Sequence, residues 1–540
     1  MFRPYEQDQI FLFPPSLKEL VDEKHPAHVI NDLIEALDLT VLKKRYGVMG
    51  QPAYHPELML KVILYGCTVG VLSARKLSRA CEENLAFQYL SGLEKPAFKT
   101  FIEFRSRHCE DLREVFIQTV KLAQKLGLAK LGEVALDGTK ITANTSKHKA
   151  MSYGRMKKEE KRLQAEIETL LKKSEEIDEQ ENREYGADEN GYSLKAEMAR
   201  RESRLKKIKE AKAALEEREG RDHPEEPIDD KKQISFADKE ARCFAKKSEG
   251  TRYVYNGQAA VDMESQIIVE NHIEDSVADA GAVGPLLENM KKEIGEAPEK
   301  LVMDSGYANS ETLKSCEAHN VEPVCSHARE QSKAAKEGKK KKDNVLDGLT
   351  YDAEKNAFTC CHGTIFKLDH WNKKHTRATY RSHGDVGCSC GHEQRKGKSI
   401  LYVYASHIAR RELKRLYEHP ENQKLYRRRK CTVEPVFGQI KFGLGFQRFL
   451  YRGRKKIASE WNVACAALNL KKIAAGMIMK GTFPKGNGFN KGKPSTFYDH
   501  FSQLLRLFDI RSSFCCFSGL FSLQCSTKCS SSAIDVFRVI

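Results

Sequence analysis

The 540-residue chain has no run of about 18 uninterrupted apolar residues, so no segment of it is expected to span a membrane. Its opening, MFRPYEQDQIFLFPPSL, lacks a basic segment followed by a long apolar one, and no secretory signal is expected. Cysteine is sparse. Sixteen in this length are too few for a disulfide scaffold and point to an intracellular chain with free or metal-binding thiols. Acidic charge is outweighed: 75 Asp and Glu stand against 91 Lys and Arg, a net +16. Hydrophobic residues make up 40%, enough for a real core, which excludes a wholly disordered protein. The length suits two to four domains.

The positive surplus is concentrated. From His407 to Lys456 there are 15 Lys and Arg against 4 Asp and Glu, a net +11. An isolated basic run is usually a solvated face. This one is long and interleaved with Tyr417, Tyr426, Phe437, Phe442, Phe446 and Tyr451. That mixture suits phosphate contact with base stacking, and a nucleic-acid partner is expected.

Residues 15 to about 125 read as several short helices. Val29, Ile30, Leu33, Ile34 and Leu37 recur at helical spacing, Pro56 suits a first turn, and Ser73 suits an N-cap. The unit reads equally as a helix-turn-helix or as plain helical packing. Val134–Gly138 reads as a short strand ending in a carboxylate and a turn, with Lys140–Ala143 continuing it. Met156, Leu163, Leu170 and Ile177 then repeat every seven residues, and Leu194, Met198, Leu205, Ile208 and Leu215 repeat similarly. With the breaker Tyr185–Gly191 between them, an antiparallel coiled-coil hairpin inserted over 155–218 is predicted.

Strands are expected at Tyr253–Tyr255, Gln258–Asp262 and Gln266–Val269, with a turn at Met263–Ser265. A helix from Ala278 to Ile294, a strand Lys300–Met303 ending at Asp304, a helix Ser310–His319 and a strand Val321–Val324 continue an α/β rhythm. Ser332–Asn344 reads as a loop. A long helical, basic region follows from His407 to about Met479, and from Gly481 the chain reads as an aperiodic tail.

Two apolar strands each end in aspartate, at Asp137 and Asp304. One such residue means little, because Asp is a common turn residue. On neighbouring strands, however, two carboxylates repel unless a cation sits between them. Oxygen ligands of this kind suit Mg²⁺ or Mn²⁺, and a two-metal site stabilises both attacking and leaving oxygens of a phosphodiester. Glu434 is the candidate third acid, in Val433-Glu434-Pro435-Val436-Phe437-Gly438. Lys441 lies seven residues on, two helical turns away and on the same face.

These motifs resemble the DDE transposases of bacterial insertion sequences, in particular the insertion-sequence-1182-like group within the wider insertion-sequence-4/5-like transposases. Leu12–Leu17, Pro52–Pro56, Leu64–Gly66, Ser73–Leu77 and Phe104-Arg105 carry the resemblance near the start. Asp137–Lys140, Tyr255–Asp262, Asp304–Tyr307 and Val433–Lys441 carry it in the core. The resemblance implies an α/β ribonuclease-H-like catalytic core with an all-helical N-terminal domain. It implies metal-dependent DNA cleavage and strand transfer, with Asp137, Asp304 and Glu434 holding Mg²⁺ (or Mn²⁺). DNA contacts are expected at Lys441, Arg427, Arg428, Arg429, Lys430 and Arg448. In the wider family Tyr and Arg stand seven and four residues before the glutamate. Here Arg427 and Lys430 occupy those places, with Tyr426 and Arg429 one residue off.

The expected domains are 10–125, with a possible role in end binding, and 130–480, with insertions at 155–218 and 345–400. A tail covers 481–540. The partners expected are double-stranded DNA and further copies of the chain, in a homodimer or higher synaptic complex, with a cytoplasmic, nucleoid-associated location. Cys360, Cys361, Cys388 and Cys390 form a possible structural Zn²⁺ site in the lysine-rich second insertion, though the Cys-Cys and Cys-x-Cys spacing is unusual and free thiols are the alternative. Two rival functions stay open: a metal-dependent nuclease without strand transfer, and an inactivated or non-catalytic DNA-binding protein.

Overall fold

The computed structural model describes residues 15–23, 25–47, 52–184, 191–222, 226–246, 250–326, 346, 349–352, 355–360, 363–372, 377–382, 393–395, 398–480, 482–485 and 488–491. Helices come first: α1 (Leu17–Leu20), α2 (Pro26–Glu35), α3 (Thr40–Lys43), α4 (Pro56–Thr68), α5 (Ala74–Glu83), α6 (Leu85–Ser91), α7 (Phe98–Arg107) and α8 (Asp111–Lys125). Their starts follow from local chemistry. Ser16 and Glu19 form a capping box, Ser73 Oγ accepts from the Lys76 N–H at 3.3 Å, and Pro26 and Pro56 sit in first turns. Gly92, at φ +61°, closes α6 in the left-handed conformation that a side chain would strain. Leu60, Ile63 and Leu64 of α4 lose all contact with solvent and join the same hydrophobic core as the sheet that follows.

That sheet is mixed. Its strands are β1 (Glu133–Thr142), then, after the small ribbon β2 (Ala150–Ser152) and β3 (Gln233–Ser235), β4 (Arg242–Lys246), β5 (Gly250–Asp262), β6 (Ile268–Glu274), β7 (Lys300–Met303) and β8 (Glu322–Cys325). The order is β6–β5–β1–β7–β8, with β4 beside the first part of β5. β6, β5 and β1 pair antiparallel, while β1, β7 and β8 run parallel. This mixed sheet, flanked by helices, agrees with the α/β core expected from the sequence.

Three local expectations need correction. β1 does not stop at Asp137: it runs on through Gly138 because β5 pairs with it over its whole length, from Val134↔Asp262 to Thr142↔Val254. The two expected strands at 253–255 and 258–262 are likewise one strand. The turn after it forms where Asp262 Oδ1 accepts from the N–H groups of Glu264 and Ser265. The helix expected from Ala278 starts later, as α11 (Val283–Asn289), and ends in a π-turn at Met290–Ile294. Asp279 is in the loop before it. The second α/β unit closes with α12 (Ser310–Ala318).

Between β2 and β3 the chain runs out and back as α9 (Tyr153–Glu184) and α10 (Gly191–Asp222). Met156 and Leu163 pack on Ile208, Ala211 and Leu215. Arg201–Glu166 at 2.9 Å and Lys212–Glu160 at 2.9 Å set the helices antiparallel. Leu170 is only half-buried, the side chain of Ile177 lies outside the described residues, and so do residues 185–190 of the expected breaker Tyr185–Gly191, whose last residue opens α10.

The second insertion has more core than its lysine-rich composition suggested. It forms an antiparallel sheet of β9 (Leu349–Asp352), β10 (Ala357–Cys360), β11 (Ile365–Trp371), β12 (Arg377–Ser382), β13 (Glu393–Arg395) and β14 (Lys398–Tyr404). Leu349, Phe358, Phe366, Tyr380, Leu401 and Val403 fill one face. Alternation of these apolar residues with Thr, Lys and Arg is the strand signal. The expected loop at 332–344 lies outside the described residues.

The basic region is α13 (Ala405–Glu418), α14 (Pro420–Gly438), a π-turn at Gln439–Gly443 and α15 (Arg454–Lys480). α14 packs across β1 and β7, and α15 sits between the N-terminal helices and β6. Trp461, Ala464, Cys465 and Leu470 of α15 are completely buried. Thr482–Lys485 and Gly488–Lys491 pair as a short ribbon where an aperiodic tail was expected. The remainder of that tail lies outside the described residues. Among the described residues no helix is long and apolar enough to cross a membrane.

Candidate active site

The register of two parallel strands brings the acids together. Ala135 pairs with Val302, so two residues further on Asp137 and Asp304 fall opposite each other on one face. Each is held by its own backbone: Asp137 Oδ1 accepts from the Gly138 N–H at 2.8 Å, and Asp304 Oδ1 from the Gly306 N–H at 2.7 Å. Burial pushes the Asp137 carboxyl up from its ordinary value, and the neighbouring Asp304 adds to this, while Arg429 and the Gly138 N–H draw it down.

Arg429 comes from α14. Leu425, Arg429, Thr432, Val433 and Val436 form the buried stripe of this helix. The Arg429 guanidinium lies 2.9 Å from Asp137 Oδ2; burial works against its charge, and Asp137, then Tyr426 and Asp304, outweigh that and raise it. Arg429 therefore already offsets charge at Asp137. The two carboxylates remain oxygen donors of the kind Mg²⁺ or Mn²⁺ takes, so the residues present fit such an ion, which would share Asp137 with Arg429.

Glu434 is not in the cluster. It is five residues beyond Arg429, about 140° around the helix, and is exposed. Among the described residues no three His, Cys, Asp or Glu are gathered as a metal-holding group. The same-face argument for Glu434 and Lys441 also changes, because the π-turn at Gln439–Gly443 breaks the 3.6-residue period between them.

Behind the acids, on the opposite face of β1, lies a polar network. Asp279 Oδ1 accepts from Lys140 Nζ, Asn256 Nδ2 and Gln258 Nε2, each at 2.8 Å. The fully buried Tyr307 donates its hydroxyl to Gln258 Oε1 at 2.5 Å, and Trp461 Nε1–H donates to the Gln258 carbonyl at 3.0 Å. Burial first, then Asp279, Asp137 and Asp304, raise the Tyr307 hydroxyl well above its ordinary value and keep it a donor. A Cβ on Gly138 would stand 2.4 Å from Gln258 Nε2 and 2.6 Å from Asp279 Oδ1, so the glycine makes room for the network.

Comparison with known families agrees with this geometry. Residues 222–470 match the family Transposase DDE domain, and residues 15–107 match Transposase domain (DUF772). The chain is a DDE transposase. It catalyses DNA cleavage and strand transfer on insertion-sequence DNA, and its sheet is the ribonuclease-H-like core of that class. No curated protein matches the chain.

The other expected site residues of the transposase are dispersed. Arg427, Arg428 and Lys430 are exposed on α14, with Arg428 3.4 Å from Glu133. Arg448 is exposed 3.4 Å from Asn144 Oδ1, and Lys441 is half-buried in the π-turn. Arg429 differs from the rest, being buried against Asp137. Cys360 is buried with Leu349 and Phe366 in the second sheet, and Cys361, Cys388 and Cys390 lie outside the described residues.

Sequence reasoning missed Arg429 as an active-site residue and missed the whole Asp279 network. Part of the signal was available: Asn256 and Gln258 are polar at alternate positions of the otherwise apolar stretch Tyr253–Val261. Asp279 carried none, being one acid in a short loop.

Proposed function

We propose that Asp137 and Asp304, completed by Glu434, hold the divalent ion used by this transposase, Mg²⁺ or Mn²⁺, and that the chain belongs to the insertion-sequence-1182-like group. The observation that carries the ligand assignment is the register-matched pair of aspartates sharing the charge of Arg429. When bound, the ion supplies charge stabilisation at the oxygens of the phosphodiester being cut or joined. Asp137 and Asp304 are oriented by the N–H groups of Gly138 and Gly306, and Arg429 draws the Asp137 carboxyl down against the rise that burial causes. Glu434, exposed on α14 outside the pair in this structure, is the third ligand this reading requires. Arg427, Arg428, Lys430, Lys441 and Arg448 contact DNA phosphates near the cut.

Phe442 accompanies them. Of the six aromatics interleaved in the basic region it is the one that reaches far into solvent, at 77% exposure, whereas Phe437 and Phe446 are buried. Phe442→Ala is expected to weaken DNA binding by about 1–3 kcal/mol, the worth of one stacked base. Fluorescence anisotropy with labelled ends checks this, and unchanged affinity would remove Phe442 from the interface.

The inserted helices α9 and α10 act as a coiled-coil hairpin, and the N-terminal helices recognise the element ends. Joining needs two ends held together, so the working form is a dimer or larger synaptic complex. Crosslinking on paired-end DNA that yields only monomers would refute that assembly.

The central test is cleavage and joining of DNA carrying the element's own ends, with Mg²⁺, with EDTA and with Glu434→Gln. Joining that needs Mg²⁺ and disappears in Glu434→Gln, with DNA binding retained, is the expected result. Full activity of Glu434→Gln would show that the third ligand lies elsewhere.

A further inference from the structure

We infer that Asp279 is a positioning residue of the catalytic centre: it ties the segment bearing Asp137 to the segment bearing Asp304 and sets the gap into which the divalent ion fits. The inference rests on the reading that these two aspartates hold the ion. Asp279 does not face the ion, because Lys140 and Gly138 point to the opposite side of β1 from Asp137. Its action is through the backbone.

Two chains of bonds leave this one carboxylate. The first runs through Lys140 Nζ at 2.8 Å to β1, three residues beyond Asp137. The second runs through Gln258 Nε2 at 2.8 Å, then from Gln258 Oε1 to the Tyr307 hydroxyl. Tyr307 ends the turn that begins at Asp304: its N–H donates to the Asp304 carbonyl at 3.2 Å, and Gly306 N–H donates to the Asp304 carboxylate. Asn256 closes the cluster. Its Oδ1 accepts from Lys140 at 3.0 Å and Gln258 at 3.1 Å, and its Nδ2 donates to Asp279 and to the Ser276 carbonyl.

Three of the sequence motifs, Asp137–Lys140, Tyr255–Asp262 and Asp304–Tyr307, thus meet at an acid that belongs to none of them. The pairing β1–β7 extends only from Glu133 to Ala135 on the β1 side, so backbone hydrogen bonds between the two strands stop before the aspartates. Register fixes which residues face each other, and beyond Ala135 the two segments are tied by side chains that converge on Asp279, from Lys140 directly and from Tyr307 through Gln258. Supporting groups of this kind shift metal affinity without touching the metal.

The test uses the full-length chain and Mn²⁺ as probe, with free Mn²⁺ read by electron paramagnetic resonance and melting temperature taken on the same samples. Asp279→Asn is expected to weaken Mn²⁺ binding about tenfold. It should raise the Mg²⁺ needed for half-maximal cleavage by the same factor. Tyr307→Phe, which deletes one hydroxyl and keeps the ring, should act in the same direction. The double variant should fall short of the product of the two single effects, since both act along one path. A purely structural role would lower the melting temperature and leave the Mn²⁺ affinity of folded protein unchanged.

Wild-type affinity in folded Asp279→Asn, with binding lost in Asp137→Asn, would overturn the positioning role alone. Wild-type affinity in Asp137→Asn would overturn the ligand assignment and this role with it. Should Asp279→Asn fail to fold, Tyr307→Phe decides: unaltered Mn²⁺ affinity in that variant overturns the inference.

Discussion

Asp137→Asn is expected to lower DNA cleavage on the order of a thousandfold or more while leaving DNA binding in place. The amide keeps the size of the side chain and still accepts from the Gly138 N–H. It loses the charge that faces Arg429 and Asp304. A bound divalent ion contributes several kcal/mol of charge stabilisation, and each 1.36 kcal/mol is about a factor of ten in rate. The same geometry sets a pH dependence. Burial holds the Asp137 carboxyl above its ordinary value and Arg429 draws it down, so removing Arg429 raises it further. Arg429→Gln should therefore move the acid limb of the cleavage profile to higher pH. Cleavage rates across pH 5–9 check both variants, and retained activity in Asp137→Asn would remove this residue from catalysis.

The second large effect is on stability. Arg113 of α8 crosses from the N-terminal helices to the core, where its guanidinium lies 2.5 Å from Glu270 and 2.6 Å from Glu293 and donates to the Asn271 carbonyl at 2.8 Å. Glu270, on β6, has no solvent exposure. Arg113→Ala is expected to cost about 3–5 kcal/mol, because it strands a buried carboxylate without its partner. Urea unfolding of the two proteins measures this, and a loss under about 1 kcal/mol would refute the clamp.

Burial also pushes Glu270 up to about 7, in spite of Arg113, and Glu460 to about 7. For both, the folded value exceeds the ordinary 4.5, so the folded state holds protons that the unfolded state has released. The stability they contribute is complete below about pH 4.5 and is lost as pH rises through about 7. The melting temperature should thus fall between pH 5.5 and pH 8, and Glu270→Gln should flatten that fall. A slope unchanged in the variant would assign the effect to other groups.

Much of this architecture is legible in short stretches of sequence. The helical start from Leu17, the apolar strand that ends before Asp304, and the heptad residues Met156 and Leu163 all follow from local periodicity, which is a property of neighbouring residues. The motifs around Asp137, Asp304 and Glu434 likewise stand in continuous stretches, so their family resemblance is legible one segment at a time. The second sheet is harder to see. Its strands are short and interrupted, and its core residues Phe358, Phe366, Tyr380 and Leu401 make sense only once paired.

The sequence by itself determined which residue types were present for the chemistry: two strand-borne aspartates, a glutamate in a basic helix and a basic region of +11. Only the tertiary structure decided how they are used. Helical phase turned Arg429 inward to Asp137 and left Glu434 outside, a difference of five residues that no composition reveals. Strand register placed Asp137 opposite Asp304 across 167 residues of chain. Asp279, unremarkable in its loop, became the common acceptor for Lys140, Asn256 and Gln258. The physical reason is the same in each case: hydrogen bonds and ion pairs depend on direction and on distances of about 3 Å, and those are set by packing between segments far apart in the chain.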